Sequence, residues 1–288
     1  ITHKFEEEIK KKLSVKNAIA VNSCTNGIFA SLHALNLKKN DEVITTPFTF
    51  VSTIHNLFNF GLKIKLIDIN FNDFSMDPEE LKKNITPKTK CVVVTHYGGI
   101  PANIKKIIDI CKSKKIKVIE DCAHSLGGSY QDGSKIGSCK YSDMSVFSFH
   151  PVKSITTGEG GMITTNNKNL WKKVWEYKDH GKSYNAVYNR VHPDGFRWLH
   201  ETFGTNWRMT EIQASIGRVQ LKRLPDFIEQ RKKNWEYLRK GLSVSEKFLE
   251  FALPTHAVSW DKDKGFNWDD SGCKTECSWF GFKISIKE

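Results

Sequence analysis

Short apolar runs alternate with longer amphipathic stretches over the first 165 residues of the chain. Apolar runs bounded by polar turns are typical of buried strands, whereas apolar residues three and four positions apart predict helices. The predicted strands cover 18–21, 42–46, 62–68, 91–95, 116–120, 144–149, 162–165 and 279–286. The predicted helices cover 5–13, 28–37, 78–83, 104–114, 167–177 and 210–242, with one more beginning near residue 53.

This alternation predicts an α/β fold, a mostly parallel sheet with helices on both of its faces. Ligands bind such sheets beyond the carboxyl ends of the strands, so the loops there are the places to look for function. The pattern fails over 180–203, which we predict to be a long loop, and it is irregular after residue 243. We therefore predict a large domain over 1–225 and the start of a smaller one over 226–288.

The connection between strands 144–149 and 162–165 presents Lys153 among small polar residues and ends in Gly158-Glu159-Gly160-Gly161. Glycine is favoured where the chain turns tightly. A lysine held between two buried strands is partly desolvated, which lowers its pKa and makes its amine a nucleophile toward carbonyls. A surface lysine on a hairpin is the alternative, and this loop alone does not decide between them.

Polar residues that could bind a ligand or take part in a reaction lie near the ends of two other predicted strands. The segment Asn22-Ser23-Cys24-Thr25-Asn26-Gly27 stands between a strand and a helix, where free N–H groups and the helix dipole favour a phosphate. A plain N-cap turn explains it equally well. Asp121 follows strand 116–120 directly and precedes His124 by three residues. That pair fits a metal site, a proton relay or a helix cap.

Composition narrows the class of protein. With 288 residues, 39% of them hydrophobic and including 18 Phe and 8 Trp, the chain can bury a sizeable core. It has no apolar run long enough to span a membrane and no signal-peptide core at its start, so no membrane association is expected. The seven cysteines are odd in number and scattered, which indicates reduced thiols and a cytoplasmic protein. Cys273 and Cys277 lack a partner pair, so no structural zinc is expected.

The net charge of +12 raises the question of a nucleic-acid partner. The lysines are spread over every segment, and the chain has no arginine-rich tract and no basic motif interleaved with aromatic residues. A solvated, lysine-rich surface is the better explanation, and we expect no nucleic acid. Such a surface would still attract an anionic small substrate by weak long-range steering.

Taken in order and spacing, the motifs of this chain resemble the fold-type I, PLP-dependent sugar aminotransferases of the DegT/StrS type, over nearly the whole sequence. The resemblance implies that family's α/β fold, with an incomplete small C-terminal domain, because family members usually extend further at both ends. The motifs are Asn22-Ser23-Cys24-Thr25, Pro47-Phe48-Thr49-Phe50, Glu120-Asp121-Cys122-Ala123-His124, Phe147-Ser148-Phe149-His150-Pro151-Val152-Lys153, Gly158-Glu159-Gly160-Gly161 and Asn206-Trp207-Arg208-Met209.

The resemblance also implies catalytic roles. Lys153 would hold pyridoxal 5'-phosphate (PLP) covalently and then act as general base and acid. Asp121 would pair with the pyridine nitrogen and keep it protonated, and His124 would orient the phenolic oxygen. In related sugar 3-dehydratases the lysine position is a histidine, so Lys153 favours transamination.

The resemblance further implies how the cofactor and substrates are held. Phe50 would stack on the ring, and Thr25, Asn26 and Ser148 would bind the phosphate. Asn206 would reach the phosphate from a neighbouring subunit, which implies a homodimer with a shared active site. Candidates to line the sugar site are His96, Tyr97, His180 and the loop 184–203.

The function implied is transfer of an amino group, usually from glutamate, to a nucleotide-linked keto sugar in the synthesis of polysaccharide or other glycoconjugate precursors. A PLP-dependent sugar dehydratase is one alternative, and a non-catalytic regulatory or binding protein of the same fold is another. A nucleic-acid-binding protein is the weakest of these alternatives.

Overall fold

A mixed β-sheet forms the centre of the molecule. The computed structural model describes residues 1–191, 199–269 and 272–287. Within these residues the sheet has seven strands in the order β1-β7-β6-β5-β4-β2-β3. The strands are β1 (Asn17–Val21), β2 (Glu42–Thr45), β3 (Lys63–Leu66), β4 (Thr89–Thr95), β5 (Lys117–Asp121), β6 (Met144–Ser148) and β7 (Gly161–Thr165).

Strand direction decides where the functional loops meet. The strands β3, β2, β4, β5 and β6 are parallel, whereas β7 is antiparallel to both β6 and β1. The loops after β4, β5 and β6 therefore leave the same edge of the sheet. The long β6–β7 connection, which carries Lys153, begins at this edge. The predicted, mostly parallel sheet is confirmed.

Helices cover both faces of the sheet. They are α1 (Thr2–Leu13), α2 (Cys24–Ala34), α3 (Val51–Asn59), α4 (Pro78–Asn84), α5 (Ile104–Ser113), α6 (Lys168–Lys178), α7 (Tyr184–Tyr188) and α8 (Glu211–Gly241). One apolar core includes Phe5 of α1, Ile107 of α5 and Leu221 of α8. A second core includes Leu32 of α2 and Val174 of α6. The predicted α/β fold with helices on both faces is confirmed.

The start of α2 corrects the sequence analysis. This helix begins at Cys24, not at residue 28, because the side chain of Ser23 caps it by accepting the N–H of Asn26 at 3.1 Å. Gly27 then lies inside the helix, where a Cβ atom would come within 2.6 Å of the Val146 side chain. Glycine thus lets α2 lie close against β6. As a result, Thr25 and Asn26 belong to the first turn of the helix.

The region after β7 differs from the prediction in two places. The predicted loop 180–203 contains the short helix α7, and its residues 192–198 lie outside those described. The predicted strand 279–286 is regular only at β11 (Ile284–Ile286), which pairs with β8 (Leu249–Phe251). The strands β9 (Ala257–Asp261) and β10 (Gly265–Trp268) form a hairpin. Helix α8 runs through Pro225 without interruption, and the domain boundary at 225/226 stays a prediction.

Two further observations concern the cysteines and the search for membrane-spanning helices. All seven cysteines are free thiols, and six of them are buried. In the part of the chain that the structure describes, no helix has the length and apolar character needed to cross a membrane.

Candidate active site

Lys153 lies on the β6–β7 connection and is half-buried. Burial lowers the pKa of its amine, and the negative potential of Asp121 partly opposes that shift. The guanidinium of Arg231 on α8 donates at 3.3 Å to the carbonyl oxygens of Lys153 and Ser154, which ties this loop to the helix. Arg231 therefore fixes the backbone of this loop, and burial makes the Lys153 amine easier to deprotonate than that of an exposed lysine.

Asp121 ends β5 and is buried. Its Oδ2 accepts a hydrogen bond from the Thr53 hydroxyl at 2.8 Å, and its Oδ1 accepts the N–H of Ala123 at 3.0 Å. Burial raises the pKa of Asp121, while these two bonds and the charge of Lys153 lower it. The sequence analysis missed Thr53. The signal was available, because Thr53 follows the Pro47–Phe50 motif into helix α3.

His124 lies in the loop after β5, and its neighbours define its protonation. Its Nδ1 accepts the backbone N–H of Gly98 at 3.2 Å, so in the neutral ring the proton sits on Nε2. Burial lowers the pKa of His124 to about 3, and the positive charges of Lys153 and Lys283 act in the same direction. The side chain is thus a neutral imidazole whose Nε2–H can donate.

Strands β6 and β7 and the start of helix α2 meet in a tightly packed corner. Ser148 at the end of β6 pairs with Gly161 at the start of β7. A Cβ atom on Gly161 would lie 2.6 Å from the carbonyl carbon of Ser23 and 2.7 Å from the nitrogen of Cys24, so only glycine fits there. The first N–H groups of α2 have no partner within the helix and carry its positive dipole end. Together with Ser148 they can hold a phosphate.

Helix α3 supports this corner and the carboxylate together. Its Asn56 side chain donates to the Thr25 carbonyl oxygen at 2.7 Å, one turn after Thr53 binds Asp121. Cys24, next to Thr25, is buried, and the pKa of its thiol is raised by that burial and by Asp121. The positive charge of Lys153 lowers the pKa of the same thiol and so partly opposes this shift.

Two residues predicted to bind the cofactor, Phe50 and Asn206, lie in other parts of the chain and are exposed. Phe50 lies at the start of α3 with 65% of its surface exposed. Asn206 is exposed and forms a β-bridge with Asp179. The neighbouring Trp207 accepts the N–H of Asn22 at 3.0 Å, so this segment runs beside the β1–α2 connection. The roles of Phe50 and Asn206 therefore stay predictions.

His96 is not a lining residue of an open cleft, because it is completely buried. Its Nε2 contacts Oε2 of Glu120 at 2.8 Å. Burial alone would raise the pKa of Glu120, but hydrogen bonds bring it below its ordinary value. The hydrogen-bonding side chains are those of His96, Tyr130, Ser142 and Ser145. This network fixes the end of β5 directly before Asp121.

The other sugar-site candidates are placed differently. The Tyr97 ring lies 5.7 Å from that of His124 and 4.4 Å from that of Phe48, measured between centroids, so Tyr97 borders the site. His180 is exposed, and its N–H donates to Thr205 at 2.8 Å. The loop 184–203 falls partly outside the described residues. Its role in sugar binding stays a prediction.

Replacing Thr53 by valine tests the support of Asp121. The change keeps the side-chain shape but removes the hydroxyl that donates to Oδ2. We expect the pKa of Asp121 to rise further and the free energy of unfolding to fall by about 1.5–3 kcal/mol while the carboxylate is ionised. NMR titration of the Asp121 carboxyl carbon and urea unfolding measure the two effects. Thr53→Ser retains the hydroxyl and should behave like the wild type, and an unchanged Asp121 pKa in Thr53→Val would contradict the assignment.

His124 predicts a pH dependence of stability in the protein without cofactor. Its folded-state pKa of about 3 lies below the ordinary value of about 6.5. Between these values the unfolded chain binds a proton that the folded chain does not. The contribution of His124 to the free energy of unfolding is therefore fully present above about pH 6.5. It is lost as the pH falls from there to about 3, by up to about 1.4 kcal/mol per pH unit. Urea unfolding across this range should show a smaller slope for His124→Gln, and equal slopes would contradict the prediction.

Comparisons with known proteins identify the family of the chain. The sequence profile of the DegT/DnrJ/EryC1/StrS aminotransferase family matches residues 1–264. GDP-perosamine synthase of Escherichia coli O157:H7 is 32% identical over 240 residues, covering 83% of this chain and 62% of the relative. The chain spans 57–62% of the length of the curated relatives that it matches.

Two solved structures have the same fold. An aminotransferase from Psychrobacter cryohalolentis superposes with a TM-score of 0.90 at 36% identity, covering 99% of this chain and 69% of the other. GDP-4-keto-6-deoxy-D-mannose-3-dehydratase of E. coli, solved with bound hydrated PLP, superposes with a TM-score of 0.85 at 28% identity. This superposition covers all of the present chain and 71% of the dehydratase chain. The α/β fold is that of these two enzymes.

Proposed function

The chain belongs to the DegT/DnrJ/EryC1/StrS aminotransferase family, and from that premise we propose that it transfers an amino group from an amino acid to a nucleotide-linked keto sugar, with PLP as its cofactor. The observation that carries the proposal is Lys153, a half-buried lysine whose pKa is lowered by burial. It stands at the sheet edge where Asp121 and the start of α2 also lie. Glutamate is the amino donor that we would test first.

The residues present fit the polar groups of PLP. A ring nitrogen that must stay protonated needs a buried carboxylate, which Asp121 supplies with Thr53 and Ala123 holding it in place. A phosphate needs N–H and O–H donors, which the start of α2 and Ser148 supply. An aldehyde needs an amine as its partner, and burial lowers the pKa of the Lys153 amine and so favours its nucleophilic form.

When bound, PLP supplies a conjugated ring that accepts the electron pair of a breaking C–H bond. The Lys153 amine would take the proton from the donor's Cα and, in the second half of the reaction, deliver one to the sugar carbon that receives nitrogen. Asp121 keeps the ring nitrogen protonated by its negative charge. His124 donates its Nε2–H to the phenolic oxygen and so holds the ring in register.

Sugar-nucleotide substrates are supported by family membership and by charge. The match to GDP-perosamine synthase is to a protein named for a nucleotide-linked amino sugar. The net charge of +12 would steer such anionic substrates toward the protein. We propose a role in the supply of polysaccharide or other glycoconjugate precursors, in the cytoplasm, where nucleotide sugars and reduced thiols occur together.

A homodimer with a shared site is part of the proposal. Phe50 precedes helix α3 and is 65% exposed, and the apolar side chains of Val51 and Phe58 on that helix are 48% and 73% exposed. Burial of such surface between two copies would stabilise a dimer. The same contact would bring a partner's Asn206 to the phosphate and cover Phe50.

A PLP-dependent sugar dehydratase is the second candidate, since an E. coli dehydratase shares this fold. The two reactions place different demands on Lys153. Only an aminotransferase moves nitrogen from the donor to the sugar, and it needs the Lys153 amine for each transfer. A non-catalytic protein of the same fold is the third candidate. It would bind PLP or a nucleotide sugar without turnover.

The visible absorption spectrum decides among these candidates. Protein mixed with PLP should show the band of lysine-bound cofactor, and glutamate should convert it to the band of the amine form. A keto sugar nucleotide should then restore the first band and yield an amino sugar detectable by mass spectrometry. Loss of the sugar hydroxyl without gain of nitrogen would favour the dehydratase, and stable spectra with every substrate would favour the non-catalytic protein.

A further inference from the structure

A segment near the end of the described chain docks onto the two loops that carry the site. We refer to residues 277–283 as the docking segment. The N–H of Ser278 donates to the Gly99 carbonyl oxygen at 3.1 Å, and the N–H of Gly281 donates to that of Gly98 at 2.9 Å. The Ser278 hydroxyl donates to the His124 carbonyl oxygen at 2.5 Å. The segment thereby joins the loop after β4 to the loop after β5.

The loop after β4 is shaped to receive this segment. Gly98 and Gly99 have φ angles of 61° and 83°, which favour glycine. A Cβ atom on Gly99 would lie 2.1 Å from the Ser278 hydroxyl, and one on Gly98 would lie 2.9 Å from the Lys283 side chain. The contact is thus close along its whole length, and a side chain at position 99 would push the docking segment away.

Lys283 fastens the far end of the segment. Its ammonium donates to the carbonyl oxygens of Asp73 at 2.8 Å and Tyr97 at 3.1 Å. The same ammonium lies 5.3 Å from the centre of the Phe74 ring. Burial lowers the pKa of Lys283 to about 8, which the charge of Asp73 partly opposes.

The docking segment brings Phe280 to the catalytic residues. The Phe280 ring lies 4.3 Å from the His124 imidazole with an angle of 11° between the planes, which is a stacked arrangement. The amine of Lys153 lies 5.2 Å from the centre of the same ring. One aromatic side chain therefore contacts both groups, although it is distant from each of them in the sequence.

We propose that Phe280 is a positioning residue of this active site, which holds the plane of the His124 ring and shields the Lys153 amine from water. The catalytic significance of this inference rests on the proposed function, whereas the contacts of Phe280 with His124 and Lys153 do not depend on it. A stacked ring restricts rotation of the imidazole and so aims its Nε2–H. The same ring excludes water from the side of the amine that it covers, which favours neutral nitrogen and hence nucleophilic attack.

The causes of the pKa shifts of Lys153 and His124 predict what removal of the Phe280 ring does to both groups. The pKa of Lys153 is lowered by burial and raised by Asp121 and Cys24. The pKa of His124 is lowered by burial and further by the charges of Lys153 and Lys283. Truncation of Phe280 removes none of these charges. It removes the attraction between the Lys153 ammonium and the ring face, which favours the charged amine, but it also reduces the burial that is the largest cause of both shifts. Both pKa values should therefore move upward, toward their ordinary range.

The test uses the whole chain without PLP. Phe280→Ala and Phe280→Leu are compared with Phe282→Ala and Phe282→Leu as matched controls. The ring of Phe282 packs 5.9 Å from Trp235 and 6.0 Å from Phe251, away from the catalytic residues. The rate of Lys153 acetylation by acetic anhydride, followed over pH by peptide mass spectrometry, gives the amine's pKa and accessibility. NMR titration gives the pKa of His124.

We expect Phe280→Ala to raise both pKa values and to increase the acetylation rate at high pH several-fold, with a smaller change for Phe280→Leu. Both Phe282 variants should match the wild type. Equal shifts in the Phe280 and Phe282 variants would mean that the whole segment has loosened, and unchanged values in Phe280→Ala would mean that the ring shields nothing. Either result overturns the proposal. If Phe280→Ala does not fold, Phe280→Leu measured against Phe282→Leu gives the same comparison.

These measurements separate the inference from the proposed function. Neither readout needs PLP, a sugar or turnover, so a chain that failed to transfer nitrogen could still show that Phe280 shields Lys153. Conversely, an active aminotransferase in which Phe280→Ala left both pKa values unchanged would keep its function and lose this inference. In an active protein, Phe280→Leu should lower kcat several-fold relative to Phe282→Leu, because the lysine and histidine act in the chemical steps.

Discussion

Lys153→Ala is expected to abolish amino transfer and to remove the visible band of lysine-bound PLP. The substitution deletes the only atom of the side chain that can bond to the aldehyde and also the base that moves the proton. Loss of a positioned general acid–base group alone costs about 10²–10⁴ in rate, so at least that loss is expected in kcat. PLP should still bind, because Asp121 and the start of α2 remain. The visible spectrum and a coupled assay for the keto acid product measure the two effects.

Two variants control this experiment. Lys153→Arg keeps a positive charge and a long side chain, but a guanidinium stays protonated and cannot attack the aldehyde, so it should be as inactive as alanine. Lys168→Ala alters an exposed lysine at the start of α6 and should leave spectrum and rate unchanged. A Lys153→Ala protein that still produced amino sugar at more than a few per cent of the wild-type rate would remove Lys153 from the centre of the mechanism.

Asp121→Asn is expected to slow catalysis strongly while leaving PLP attached to Lys153. Asparagine has nearly the same shape, so it can still accept the hydroxyl of Thr53, but it has no charge to hold the ring nitrogen protonated. An adjacent opposite charge shifts a pKa by about 1–3 units, which corresponds to about 1.4–4 kcal/mol and therefore to roughly 10–10³ in rate. Single-turnover conversion of the bound cofactor by glutamate measures this chemical step directly.

Asp143→Asn is the matched control for this substitution. Asp143 precedes β6 at the opposite edge of the sheet, where its Oδ2 accepts the N–H of Val118 at 2.9 Å and its Oδ1 contacts Lys117. Its loss should reduce stability slightly and leave the single-turnover rate as it was. Asp121→Asn with a wild-type rate, or equal losses in the two variants, would show that the charge of Asp121 does not act on the ring.

The active-site loops were predictable because of the direction of the strands. Apolar runs at 91–95, 116–120 and 144–149 indicated parallel strands, and parallel strands bring the residues after them to one edge of the sheet. That rule singled out Asp121 and His124 after strand 116–120, and the resemblance to the family then assigned both of them and Lys153 to one site. The motif order added the family and the cofactor, which residue periodicity alone does not give.

The sequence by itself determined the α/β class, the lysine loop and the carboxylate at the end of β5, since these depend on local patterns of apolar and polar residues. Only the tertiary structure decided the partners of these groups: Thr53 on Asp121, Gly98 on His124, and Phe280 against both His124 and Lys153. These contacts join residues that are far apart in the chain. No periodic pattern encodes them, because they arise only when packing brings separate loops to the same sheet edge and burial then shifts the pKa values of the groups enclosed there.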